Sequence, residues 1–311
     1  MFPSRLPSRP PSRLVTYLSL ALLVLIWGTT WAAIRVGLRG IPPFAGVALR
    51  FGIAAVVLLA LTPLFKVRLG RTPTERWLWL ANSTFTFSIS YGALYWSEQW
   101  VPSGLAAVLF ATLPLVVALL AHFFLPGERL TPAGGVGILV GFAGVAVIFS
   151  EDFARLGGPH VGRAAVVCLL APLSAACGGV LAKRWGKGVH PLSITAVPMA
   201  ITAVVLGGIS GLAERGHPWV WSRPALFALL YLALVGSAIS FTLYFWLLTH
   251  LPATTLSLIN YVIPVVAVTV GTLWLAEPLT LRVVAGAALV IAGVALAVRA
   301  KREKPVRPET P

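Results

Sequence analysis

Charge is scarce in this chain: 11% of its 311 residues are charged, and only nine are Asp or Glu. Cysteine is rarer still, with Cys168 and Cys177 alone, nine residues apart in one apolar stretch. On a helix they would stand roughly 13 Å apart, too far for a disulfide, so both read as packing residues. The five histidines, His122, His160, His190, His217 and His250, are scattered one per segment without metal-ligand spacing. No His-Glu-x-x-His, no Gly-x-Ser-x-Gly and no paired Asp within an apolar run occurs. These absences weigh against an intramembrane enzyme acting on a lipophilic substrate, the alternative reading from another class. No metal or other cofactor is expected.

What the chain has is apolar surface. Hydrophobic residues make up 58% of it, more than a soluble domain can hide, so the lipid bilayer must solvate most of the molecule. The formal charge of +15 resembles a nucleic-acid signal until the positions of the cations are considered. They lie in short connections and at the two tails, which suits membrane orientation and not phosphate binding, so no nucleic-acid partner is expected. The basic, Pro- and Ser-rich stretch Met1 to Arg13 precedes an apolar run that continues through Trp27-Gly28 to Ile34. That run lacks a convincing cleavage site and reads as an uncleaved first span.

Apolar stretches long enough to cross the hydrocarbon run over Leu14–Ile34, Pro43–Phe65, Trp77–Tyr95, Pro102–Leu125 and Pro132–Phe149. A second set covers Ala164–Ala182, Leu192–Leu212, Pro224–Leu248, Pro252–Leu275 and Leu281–Val298. Lipid-facing backbone must be satisfied within each segment, which makes all ten helices. With both tails in the cytoplasm, inner segments hold 16 Lys and Arg, outer segments seven, and Arg50 lies within a span. That bias places both termini inside, in a multi-pass protein.

The chain also repeats itself. Ala93-Leu94-Tyr95 through Phe149 and Thr242-Leu243-Tyr244 through Val298 share their punctuation at a shift of 149 to 150 residues. Tyr95 answers to Tyr244, Pro102 to Pro252, Pro114 to Pro264, Glu128 to Glu277, Gly137 to Gly286 and Gly144 to Gly293. Five helices per half is an odd number, so the second half enters the membrane from the opposite side and the repeats are inverted. Inverted repeats in so apolar a chain are the signature of secondary transporters, with the site where the halves meet. The expected organisation is a basic tail at 1–13, one repeat at 14–149, an external loop at 150–163, a second repeat at 164–298 and a tail at 299–311.

At this point the chain resembles the drug/metabolite transporter superfamily, in its members with two EamA-type repeats. The residues that carry the likeness are Trp27-Gly28 with Arg35, Pro43 through Arg50-Phe51, and Ser103-Gly104-Leu105-Ala106-Ala107 to Pro114. Pro126-Gly127-Glu128-Arg129-Leu130-Thr131 and Gly137 to Gly144 complete the first repeat. The resemblance covers nearly everything between residues 14 and 298. It implies ten helices as two inverted five-helix repeats around a central cavity, export or exchange of small metabolites, and a bacterial plasma membrane. The second repeat departs at its start, with Cys177-Gly178 in the place of Trp27-Gly28 and Met199 near the place of Arg50.

Candidate solute-binding positions follow from polar interruptions. Thr84, Ser88, Tyr91 and Tyr95 share one helical face of the third span, and Ser237, Ser240 and Tyr244 one face of the eighth. Such a stripe suits a wet central path; interhelical hydrogen bonding is the other reading. Asn260-Tyr261 before Pro264, and Thr112 before Pro114, sit where a kink can turn polar groups toward a solute or merely toward a neighbour. Trp27, Thr30 and Trp31 in the first span offer flat walls to an amphipathic solute or to lipid. Arg50 is the one cation well inside a span, either an anion site or a structural partner of Glu98, and the pair is the preferred reading.

Glu128 and Glu277 each precede a helix-starting Thr by three residues, which reads as helix-end structure, with Thr131-Pro132 as cap and first position. No Asp or Glu lies mid-span, so facilitated diffusion or exchange is expected over proton coupling. Gly135, Gly137, Gly141 and Gly144, with Gly286 and Gly293, read as close helix packing and not as a nucleotide loop. The expected partners are thus a small-molecule solute and the bilayer, with a homodimer left open.

Overall fold

The structure, a computed structural model, describes residues 12–126, 128–151, 156, 158–250 and 259–302. Among the described residues there is no strand, and ten spanning helices follow one another up and down. They are α1 (Arg13–Gly37), α2 (Pro43–Leu61), α3 (73–97), α4 (Ser103–Phe124) and α5 (Pro132–Phe149), then α6 (Val161–Trp185), α7 (Ser193–Ala213), α8 (223–250), α9 (Ile259–Leu275) and α10 (Leu281–Arg302). Seven of these are long and apolar enough to cross a membrane by length and composition alone. The other three are α3, which carries the polar run Asn82-Ser83-Thr84, and α9 and α10, whose apolar parts are shorter. Large side chains turned outward, such as Val56, Phe123, Leu139, Val204 and Phe227, form the surface that lipid must cover.

Local chemistry sets the helix ends. Thr131 Oγ1 accepts from Gly134 N at 3.1 Å with Pro132 at the first position, as the sequence predicts. Thr72 before Pro73 and Ser222 before Pro224 repeat the device, accepting from Glu75 N and Ala225 N. The two cysteines are free, with Cys168 buried.

Two helix pairings organise the halves. At the centre α2 packs on α7, around buried Phe51, Leu58, Ala196 and Met199. At one side α5 packs on α10 through glycines, main chain against main chain. A Cβ added to Gly137 would stand 2.7 Å from Gly293 O, and one on Gly144 2.6 Å from Gly286 O. The small-residue reading is therefore correct for Gly137, Gly141, Gly144, Gly286 and Gly293, where the approach leaves no room for a methyl group, and is overturned for Gly135, which is half-buried with open space beside it.

Candidate functional site

Helices α3 and α8 are each interrupted by a π-helical segment, Asn82–Ile89 in α3 and Tyr231–Ile239 in α8. The two stand at equivalent repeat positions. A π turn bonds i to i+5, so it leaves carbonyls poorly matched and shifts the register of everything before it. In both helices those carbonyls are taken up by side chains from the opposite half.

At α8, the guanidinium of Arg50 on α2 donates through Nε to Ser237 Oγ at 3.0 Å and through Nη2 to Gly236 O at 3.3 Å. Its Nη1 donates to Tyr95 OH at 3.3 Å, and its Cζ lies 5.1 Å from the centre of the Tyr91 ring. Ser237 Oγ in turn donates to Leu232 O at 2.9 Å, five residues back along the π turn. Thr29 of α1 meets Tyr231 OH at 2.6 Å, and the Thr30 methyl packs under Gly236. At α3, Thr202 of α7 donates to Ser83 O and bonds Ser88 Oγ at 3.1 Å, while Ser174 of α6 donates to Phe85 O at 2.6 Å.

The sequence-predicted positions sort around these two stations. Arg50, Tyr91, Tyr95 and Ser237 come together at the first; Ser240 is buried beside it and donates to Ser237 O. Ser88 belongs to the second. Thr84 leaves the stripe and is exposed, because the π register breaks the four-residue spacing that put it on one face with Ser88. Trp27 packs edge-on to Phe241 and tilted against Tyr244, with ring centroids 5.9 and 5.5 Å apart, and Trp31 packs on Phe110. Thr30 and Thr112 spend their hydroxyls on their own helices, at Trp27 O and Leu109 O. Asn260 is half-buried in the first turn of α9; the Tyr261 side chain lies outside the described residues.

Arg50 does not pair with Glu98. All its hydrogen bonds go to neutral groups, and both Glu98 carboxyl oxygens are buried without a hydrogen-bond partner. Ser237 and Gly236, from the other half, take the guanidinium in place of the expected carboxylate. Glu98 caps α3, outside the span proper, and its main-chain oxygen accepts from Arg35. Burial pushes the Glu98 carboxyl well above the usual carboxylate range, Glu277 pushes it further, and Arg35 and Arg50 oppose both.

The bundle is tied across its halves at both ends. At the Glu98 end, Glu277 accepts from Ser103 N at 2.8 Å, Ser103 Oγ at 2.9 Å and Gly104 N at 3.2 Å, and so caps α4 instead of its own helix. Glu214 does the same for α2, accepting from Phe44 N and Ala45 N. At the far end Ser193 donates to Glu75, Trp79 Nε1 donates to Ser193 Oγ at 2.9 Å, and Lys183 pairs with Glu128. With Arg50, Tyr95, Ser237 and Ser240 all buried, the polar stations are packed shut in this conformation.

Residues 14–150 and 162–299 each match the model of the EamA-like transporter family. The chain is 29% identical over 286 residues to the uncharacterized transporter YvbV of Bacillus subtilis, covering 90% of each. It is 33% identical over 257 residues to the uncharacterized inner membrane transporter YedA of Escherichia coli K12, covering 82% of this chain and 81% of the relative. A solved crystal structure superposes with a TM-score of 0.65 at 23% identity, over 94% of this chain and 99% of the other, which bears on the fold alone.

Proposed function

Since this chain belongs to the EamA-like transporter family, we propose that it exports or exchanges small amphipathic metabolites, such as amino acids or drugs, by alternating access. The membrane is a bacterial inner membrane, as for the relative YedA, with both tails in the cytoplasm and the halves 14–149 and 164–298, joined by the external connection 150–163, rocking against each other. The cation bias of sixteen inner against seven outer residues supports that orientation.

One observation carries the reading: Arg50, buried and bonded only to neutral groups, bridges the first half to the π turn of the second. A guanidinium with no carboxylate on it is an attractive partner for a carboxylate or phosphate on a solute. Tyr91, Tyr95, Trp27, Trp31 and Tyr244 supply flat apolar walls, and Ser88, Ser237, Ser240 and Asn260 supply hydrogen bonds as the halves part. Binding that competes for Arg50 would loosen the very contact that joins the halves, which links occupancy to motion.

The test is flux. Vesicles reconstituted with the protein are offered a broad metabolite mixture, and the lumen is read by mass spectrometry. A restricted set of anionic or zwitterionic solutes should enter wild-type vesicles and not those carrying Arg50→Met. Lumenal contents indistinguishable from empty vesicles overturn the proposal.

A further inference from the structure

Of the acidic residues the structure describes, five have evident work. Glu75, Glu214 and Glu277 accept hydrogen bonds at helix starts, Glu128 pairs with Lys183, and Glu151 accepts from Thr280. Glu98 is the exception, with no exposed surface and neither oxygen bonded. The cations that face it are occupied elsewhere: Arg35 of α1 donates to the Glu98 main-chain oxygen, and Arg50 of α2 donates to Ser237, Tyr95 and Gly236. The other titratable groups that feel its charge are Tyr95 of α3, Cys168 of α6 and the carboxylate of Glu277, which caps α4. A bare carboxylate in such a place costs several kcal/mol more than a neutral acid.

We infer that Glu98 is a proton-binding site whose occupancy keeps this end of the bundle shut. The carboxyl is neutral while α3 and α4 are packed around it. Loss of the proton to water leaves an anion that the packed interior cannot hold, with Glu277 as a like charge nearby, so the end must open to hydrate it. Glu98 sits past the apolar run in sequence but inside the bundle in space. As a coupling device the site rests on the alternating-access reading, whereas proton occupancy stands without it, so the tests below need no solute.

The direction of the pH dependence is fixed. A carboxyl raised in the folded state favours that state fully below the ordinary carboxylate range, and the favour is lost as pH rises through the folded value. Wild-type protein in detergent should therefore lose thermal stability as pH rises above the ordinary carboxylate range, while Glu98→Gln, neutral throughout, stays level and is the more stable at the alkaline end. At neutral pH, infrared spectra should show a protonated-carboxyl stretch that Glu98→Gln lacks and Glu98→Asp shifts. Absence of that band from wild type overturns the inference; if Glu98→Gln does not fold, the Glu98→Asp shift alone decides the assignment.

Opening has a built-in reporter in Cys168, a buried thiol. In a Cys177→Ser background, Cys168 labelling by a small thiol reagent, relative to the same protein with Glu98→Gln, should rise on the order of tenfold from neutral to alkaline pH, about 1.4 kcal/mol. A ratio that does not change with pH shows that the proton does not govern closure and overturns the inference. Failure of the vesicle flux assay would strike the transport reading and leave both of these results standing.

Discussion

The two stations where the halves touch use one backbone device with two chemistries. Where α8 meets α1 and α2, a guanidinium reaches across to a π turn; where α3 meets α6 and α7, the hydroxyls of Thr202 and Ser174 do so. Charge-assisted bonds contribute about 1.5–3 kcal/mol each and neutral ones about 0.5–1.5. The duplicated fold thus keeps its shape on both sides while concentrating attraction for a charged solute on one. Inverted symmetry of the backbone does not require symmetry of the chemistry, and under the proposed function the first station is the one that would favour an anionic solute.

The largest expected effect comes from erasing that difference the wrong way. Met199, near the repeat position of Arg50, is fully buried in the apolar core, so Met199→Arg should destabilise by about 3–5 kcal/mol. A thermal midpoint within a degree or two of wild type would show the stations to be interchangeable. Arg50→Met should come next, with flux down roughly 100-fold, the worth of one or two charge-assisted bonds. Unchanged flux would move selectivity elsewhere.

The end ties compare in the same way. Glu277→Gln removes the charge from a three-bond cap on α4 and should cost about 1–2 kcal/mol. Lys183→Met, at the opposite end, removes a cation whose side chain is 58% exposed, so it should be nearly silent. Equal denaturation midpoints for the two would erase the contrast. Smallest are the single hydroxyls: Ser88→Ala should cost about 1 kcal/mol and Thr84→Ala nothing measurable. A larger effect at Thr84 would mean that α3 is a plain α-helix there.

Much of the fold was legible because it is local. Apolar runs gave ten helices, Thr131-Pro132 gave a cap, and glycines at fixed spacing gave the α5–α10 contact. The π turns were not legible, since hydrogen-bond register leaves no mark in hydrophobic periodicity, and with them went the placing of Thr84. Thr202, Ser174, Thr29 and Tyr231 were missed because each is an ordinary hydroxyl in its own span and acquires meaning only from a partner in the other half. The polar run Asn82-Ser83-Thr84 was the signal available for the first π turn. Glu98 shows the same limit more sharply: its position in the chain says surface, and only its complete burial in the folded bundle says interior.

The glycine seam between α5 and α10 has its own geometry. Gly137 lies against Gly293, and Gly144 against Gly286, so each residue meets the repeat counterpart of the other, as in an isologous contact. Such a contact straddles the pseudo-twofold axis, and exchanging the roles of the two halves returns it to itself. The seam can therefore serve as a fulcrum that needs no second set of contacts, with displacement growing toward the helices farthest from it.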